Sequence, residues 1–272
     1  MDRSIDADRG LVSALVDDGR PLIKLTGLAL IGSGLFAFFL AASGHFLPHD
    51  IAFLGMDSGE LRAIADGRLV YFMMHDRVSF GGAILGVGTL YLWLAEFPLR
   101  ARQAWAWWTL AASGAVGFAS FLTYLGYGYL DTWHGMATVS LLPLFIWGMI
   151  RSYSLVRPMP AMMATFLPGS KTDLRTAYGV GRALLLVTSW CLVLGGAIIM
   201  TVGMTRVFVP QDLEFMRICA EDVQAVNAHL MPLIAHDRAG FGGGVCCCGL
   251  TMFFCIYCGL PSRGLWQALA VT

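Results

Sequence analysis

The sequence predicts an all-α protein, a polytopic transmembrane helical bundle of about six to seven spans. It further predicts a tandem parallel duplication of a four-span unit, with the second copy incomplete. Three observations carry this. Of 272 residues, 57% are hydrophobic and only 13% charged, against about 25% charged in an ordinary soluble domain. The apolar residues fall in runs of roughly the 20 residues that cross a hydrocarbon core. Third, His75-Asp76-Arg77 followed by Phe80-Gly81-Gly82 returns 161 positions later as His236-Asp237-Arg238 followed by Phe241-Gly242-Gly243.

In chain order, residues 1–21 form a hydrophilic, Asp-rich tail without the basic start of a signal peptide. The first repeat occupies 22–150. Its first span runs from about Leu22 to Ala42. A polar stretch follows, in which Asp57-Ser58-Gly59-Glu60 has capping-box spacing and predicts a short surface helix ending near Asp66-Gly67. Span two, about Leu69 to Phe97, contains the first triplet. Span three, about Ala104 to Gly126, has Trp105, Trp107 and Trp108 at one end and Tyr124, Tyr127 and Tyr129 at the other, as two headgroup belts. Asp131 and His134 lead into span four, about Met136 to Ile150.

Residues 151–182 make a basic cytoplasmic connection. The second repeat, 183–272, supplies span five (about Ala183 to Met204), span six (about Leu230 to Gly259) and the start of a seventh at Leu265. With the N-terminus inside, twelve of the 18 Lys and Arg lie on inner segments and six outside. The positive-inside rule therefore predicts a cytoplasmic N-terminus, in a plasma (inner) membrane, and puts the triplets at the outer side.

The duplication extends well beyond the triplets. Pro48-His49-Asp50 matches Pro210-Gln211-Asp212, Phe53 matches Phe215, Phe97-Pro98 matches Leu260-Pro261, and Trp105 matches Trp266. Span one and span five both run inside to outside, so the copies are parallel, related by an axis along the membrane normal.

Ionisable residues in a bilayer cost about 2.5–3.5 kcal/mol each at a central position, so they face protein, water or a ligand. His75, Asp76, Arg77, His236, Asp237 and Arg238 are accordingly the first candidates for ligand binding. Asp131, His134, Asp50 and Asp212 join them. Successive helical residues point about 100° apart, so one triplet cannot aim all three side chains at one site. His75 and His236, approaching across a pseudo-twofold, are the metal-ligand candidates. Transition metal, haem iron and a quinone headgroup are the cofactors that two imidazoles beside carboxylates suit. The competing structural reading is an Asp–Arg clamp that fastens the outer loops to the spans.

Gly82 and Gly86, with counterparts Gly243 and Cys247, have the one-turn spacing of close helix packing. Cys255-Ile256-Tyr257-Cys258 has a redox spacing, but Leu94 and Phe97 hold the matching positions in the first copy, so these cysteines read as apolar filler. Net charge is zero, and no basic tract or zinc-finger spacing points to nucleic acid. The lipid bilayer is the expected partner. Three functions fit: a membrane redox or cofactor-binding protein, a non-catalytic subunit that docks a membrane-protein partner or a second copy of itself, and a two-repeat transporter. Span centres are poor in ionisable groups, which disfavours the transporter.

Overall fold

The computed structural model describes residues 16–122, 126, 128–129, 131–158 and 162–272, with Gly10 and Val12. The first nine residues, Tyr124 and Tyr127 lie outside the described residues. The chain is 80% helical, with no strand among the described residues.

Helix α1, Arg20–Ser43, starts after Gly19 with a proline in its first turn and stops at Gly44, whose φ of 66° lies in the left-handed region that glycine tolerates. Two short helices follow, α2 (Pro48–Leu54) and α3 (Ser58–Arg62). The predicted capping box is present at α3. Asp57 accepts from the Glu60 N–H and Glu60 from the Asp57 N–H, each at 2.8 Å. A 3-10 turn over Ala65–Gly67 leads into α4, Arg68–Glu96. Then come α5 (Ala104–Leu122) and α6 (Thr132–Ser152), a 3-10 turn over Tyr153–Val156, and the one-turn α7 (Met162–Thr165). Helix α8 (Ala177–Thr205) opens on Thr176, whose hydroxyl accepts from the Gly179 N–H. Two short helices, α9 (Pro210–Met216) and α10 (Ala220–Val226), precede α11 (Leu230–Cys258) and α12 (Arg263–Val271).

Five segments are long and apolar enough to cross a membrane: Arg20–Ser43, Ala65–Glu96, Thr132–Val156, Ala177–Thr205 and Leu230–Cys258. That is the mark of an integral membrane protein. Helix α5, expected as the third span, lies in the same bundle but is not one of the five. Helix α12, expected to begin a seventh, has nine residues, about 14 Å at 1.5 Å per residue and short of a crossing.

Burial divides the helices into two sets. In the most apolar stretch of α11, 78% of residues are buried, against 11% in α8. Helices α1, α6 and α8 turn Leu28, Phe39, Val139, Ile150, Leu184 and Trp190 outward, a face suited to lipid. Helices α4 and α11 form the centre. Asp76 meets Arg238, Phe80 meets Gly244 and Gly86 meets Cys248. Partners thus advance together along both chains, so α4 and α11 run parallel and bring both triplets to the same end.

Each central helix carries an antiparallel partner. A Cβ on Gly34 would stand 2.6 Å from the Gly81 oxygen, and one on Gly88 2.5 Å from that of Gly27, so α1 and α4 touch backbone to backbone. Helices α8 and α11 do the same. A Cβ on Gly242 would lie 2.7 Å from the Gly196 oxygen, and one on Gly249 2.7 Å from that of Ser189. Such approaches exclude any side chain there. The glycines singled out from sequence occupy the adjoining face. Gly243 packs on Ser120 of α5, Cys247 donates to the Ser113 carbonyl at 3.2 Å, Gly86 meets Thr272, and Gly82 makes ordinary contact with Phe38. Cys246, Cys247, Cys248, Cys255 and Cys258 are buried free thiols, the last four within the central packing.

At the triplet end the short helices α2, α3, α9 and α10 fold over the bundle. They hold a second apolar cluster that includes Phe46, Leu54, Leu61, Phe72, Met73, Phe208, Met216 and Leu233. This lid of loops and short helices covers Asp76, Arg77, His236, Asp237 and Arg238, and leaves His75 exposed.

Candidate functional site

Each triplet divides its side chains as helix geometry requires. The His75 side chain is 69% exposed, while Asp76 is 1% exposed and Arg77 11%. In the second triplet His236 is itself buried, at 1%. The arginines pair across the central helices rather than within their own triplet. Arg77 Nε lies 3.3 Å from Asp237 Oδ2, and Arg238 Nε lies 3.3 Å from Asp76 Oδ2. Each arginine also holds the aspartate of the short helix in its own half, Arg77 Nη2 to Asp50 at 2.8 Å and Arg238 Nη1 to Asp212 at 2.5 Å. Those aspartates in turn accept from the Leu47 and Val209 N–H groups at the starts of α2 and α9. The result is a reciprocal lattice of two guanidiniums and four carboxylates tying the loops to α4 and α11. Arg77 and Arg238 further lie over the Phe46 and Phe72 rings.

The two imidazoles do not share an environment. His75 bonds its own neighbour Asp76 (3.2 Å) and meets the Phe241 ring edge-on. His236 Nδ1 is 3.0 Å from Asp237 Oδ1, and its Nε2 is 3.3 Å from His134 Nδ1. His134 comes from the first turn of α6. Asp131 caps that helix, its Oδ1 accepting from the N–H groups of Trp133 (2.8 Å) and His134 (3.2 Å). The other oxygen, Oδ2, lies 2.8 Å from His134 Nδ1. Burial works to raise the Asp131 carboxyl, but bonding to His134 and the imidazoles around it hold it well below the usual carboxylate range.

Two side chains that sequence reasoning passed over complete the cluster. His49 Nε2 lies 2.8 Å from Asp131 Oδ1 and 3.5 Å from Asp50 Oδ1, buried and without the alignment of a hydrogen bond to either. Tyr129 donates to Asp50 Oδ1 at 2.5 Å; burial and that carboxylate push its phenol far up, so it stays protonated. In the sequence comparison Gln211 stands at the position matching His49, and Tyr129 belongs to a stretch that reads from sequence as an aromatic belt.

A cavity of about 500 Å³ opens from this cluster. Its polar end is formed by Asp76, Arg77, Asp131, His134, His236 and Asp237. The remainder is apolar and runs between α1, α4, α5 and α6 along Leu30, Phe36, Ala37, Phe80, Ile84, Phe118, Ala137 and Leu141. Arg77 Nη1 is buried with no hydrogen-bond partner among the described residues. At the opposite end of the bundle Glu96 is bracketed by Lys24 and Arg100, each at 2.8 Å, an interfacial charge group remote from the cluster.

Comparison with protein-family models, with curated proteins and with solved structures finds no match.

Proposed function

We propose that the protein is a membrane-embedded binding protein for an amphipathic molecule whose hydrogen-bonding head meets the His–Asp–Arg cluster and whose apolar body lies along α1 and α6. The cavity carries this reading. Its volume of about 500 Å³ falls within the roughly 300–1,000 Å³ of small-molecule sites, and mostly apolar walls with a few convergent polar groups are what such sites share. A quinone is the ligand class that suits it best. Its carbonyl oxygens accept from Arg77 and His134, and imidazole beside carboxylate can exchange its protons.

Two structural proposals belong with this function. Tandem duplication is supported by the recurring backbone contacts, Gly34 on Gly81 against Gly196 on Gly242, and by the reciprocal Arg–Asp lattice. An outer position for the cluster follows from the Lys and Arg distribution.

The test is titration of the purified protein in detergent with a short-chain quinone, read by tryptophan quenching, in wild type and in Ala137→Trp, which fills the cavity beside His134. Saturable binding that Ala137→Trp abolishes is expected. Equal quenching in both proteins would refute the reading.

A further inference from the structure

We infer that Asp131 Oδ2, His134 Nδ1 and His236 Nε2 form the protein side of a site for a divalent first-row transition-metal ion. This deepens the binding reading, on which it rests in one respect: the open coordination position faces the same cavity. The donor geometry stands apart from it.

The three donor atoms lie within 4.8 Å of one another. His134 Nδ1 and His236 Nε2 are 3.3 Å apart. Metal–nitrogen bonds of about 2.0–2.1 Å set at the tetrahedral angle span about 3.3–3.4 Å, so that edge needs no adjustment. Asp131 Oδ2 and His134 Nδ1, at 2.8 Å, need only a small opening. Two imidazoles and one carboxylate favour a transition ion over calcium or magnesium, which prefer oxygen donors. Three protein ligands leave a position for a water or a ligand oxygen.

The surroundings have the form of a supporting shell. Asp237 holds His236 Nδ1 and so directs Nε2, the other nitrogen, toward the cluster. Arg77 holds Asp237. The two N–H groups at the start of α6 occupy Asp131 Oδ1, which leaves Oδ2 for coordination. The connected network brings together five acidic side chains, Asp50, Asp76, Asp131, Asp212 and Asp237, with two guanidiniums, Arg77 and Arg238, an acidic setting that suits a cation. His49 Nε2 lies 2.8 Å from the other oxygen of the Asp131 carboxylate, Oδ1.

The experiment loads metal-stripped, detergent-purified protein with Co²⁺ and reads the visible d–d bands and the bound-metal stoichiometry. Wild type should retain about one ion per chain after desalting. Asp131→Asn with His134→Gln should retain none. His75→Gln and Ala137→Trp should retain the ion as wild type does. Because the double variant could misfold, His134→Cys serves as the second arm, and a bound ion there must show a new thiolate-to-metal charge-transfer band. No retention by monodisperse wild type, or unchanged spectra in both variants, overturns the site. Retention by Ala137→Trp together with lost quinone binding keeps the metal site distinct from the ligand reading. Retention by wild type without any quinone binding refutes only the latter.

Discussion

Replacing Arg77 by Met should be among the most damaging single changes in the chain. Its guanidinium serves two carboxylates, Asp50 at 2.8 Å and Asp237 at 3.3 Å, and all three side chains are about nine-tenths buried or more. At an effective dielectric constant of about 20, each contact has a gross Coulomb attraction of roughly 5–6 kcal/mol. Desolvation offsets most of it, so the pair contributes little net stability when intact. Removing one partner is different, because it strands the other charges; such losses run about 3–5 kcal/mol. Asp50 keeps the Tyr129 hydroxyl and the Leu47 N–H, and Asp237 keeps His236, which places the expected loss near the lower figure, about 3 kcal/mol. Adding Asp237→Asn removes one stranded charge at almost constant shape and should restore about 1–2 kcal/mol. Equilibrium unfolding in bicelles with added SDS, followed by tryptophan fluorescence, measures both. A loss under about 1 kcal/mol for Arg77→Met, the scale of an exposed ion pair, would refute a buried lattice. So would strict additivity of the two changes.

Three further outcomes follow from individual residues. Gly196→Ala drives a Cβ into the backbone of α11 at Cys246 and should cost about 1–3 kcal/mol in the same assay, whereas Gly195→Ala, with open space around it, should lose nothing. Arg217 ends α9 at φ 55°, where Gly55 ends α2 at φ 66°; Arg217→Gly should therefore raise stability by about 1 kcal/mol, seen as a higher unfolding midpoint. The exposed Cys219 thiol is pushed up by its hydrogen bond to Asp222. Its alkylation, followed by peptide mass spectrometry, should need higher pH than an ordinary thiol. Asp222→Asn should move that profile back to lower pH, and an unmoved profile would dismiss the coupling.

Much of the fold is legible along the chain because its causes are local. Apolar length and the Asp57–Glu60 capping box each act within a few residues, whereas the short helices that open at Pro48 and Pro210 follow Pro-x-Asp stretches that read from sequence as turns. The candidate site was legible in part. The triplets marked the polar end of the central helices, and Asp131 and His134 were recognisable beside them. Which histidine meets which was not. Sequence symmetry drew His75 toward His236, yet His236 meets His134 of α6. The glycines show the same limit. Small residues one turn apart pointed to Gly82 and Gly86, while the backbone contacts fall at Gly81 and Gly88, one residue before the first and two after the second, because the direction of the neighbouring helix selects the face.

Composition and spacing alone mark a helical chain built for a bilayer, with two matched polar interruptions in long apolar helices. Solvent transfer and helix capping are properties of short segments, so composition and spacing suffice for them. The crossing of each arginine to the other triplet's aspartate, the outward His75 beside the buried His236, and the apolar cavity that ends on Asp131, His134 and His236 emerge from the packed helices. Those outcomes depend on the parallel register of α4 against α11 and on where α6 docks. Both are set by packing between residues far apart along the chain, such as Asp76 with Arg238 and Trp107 with Met149, which no local pattern encodes.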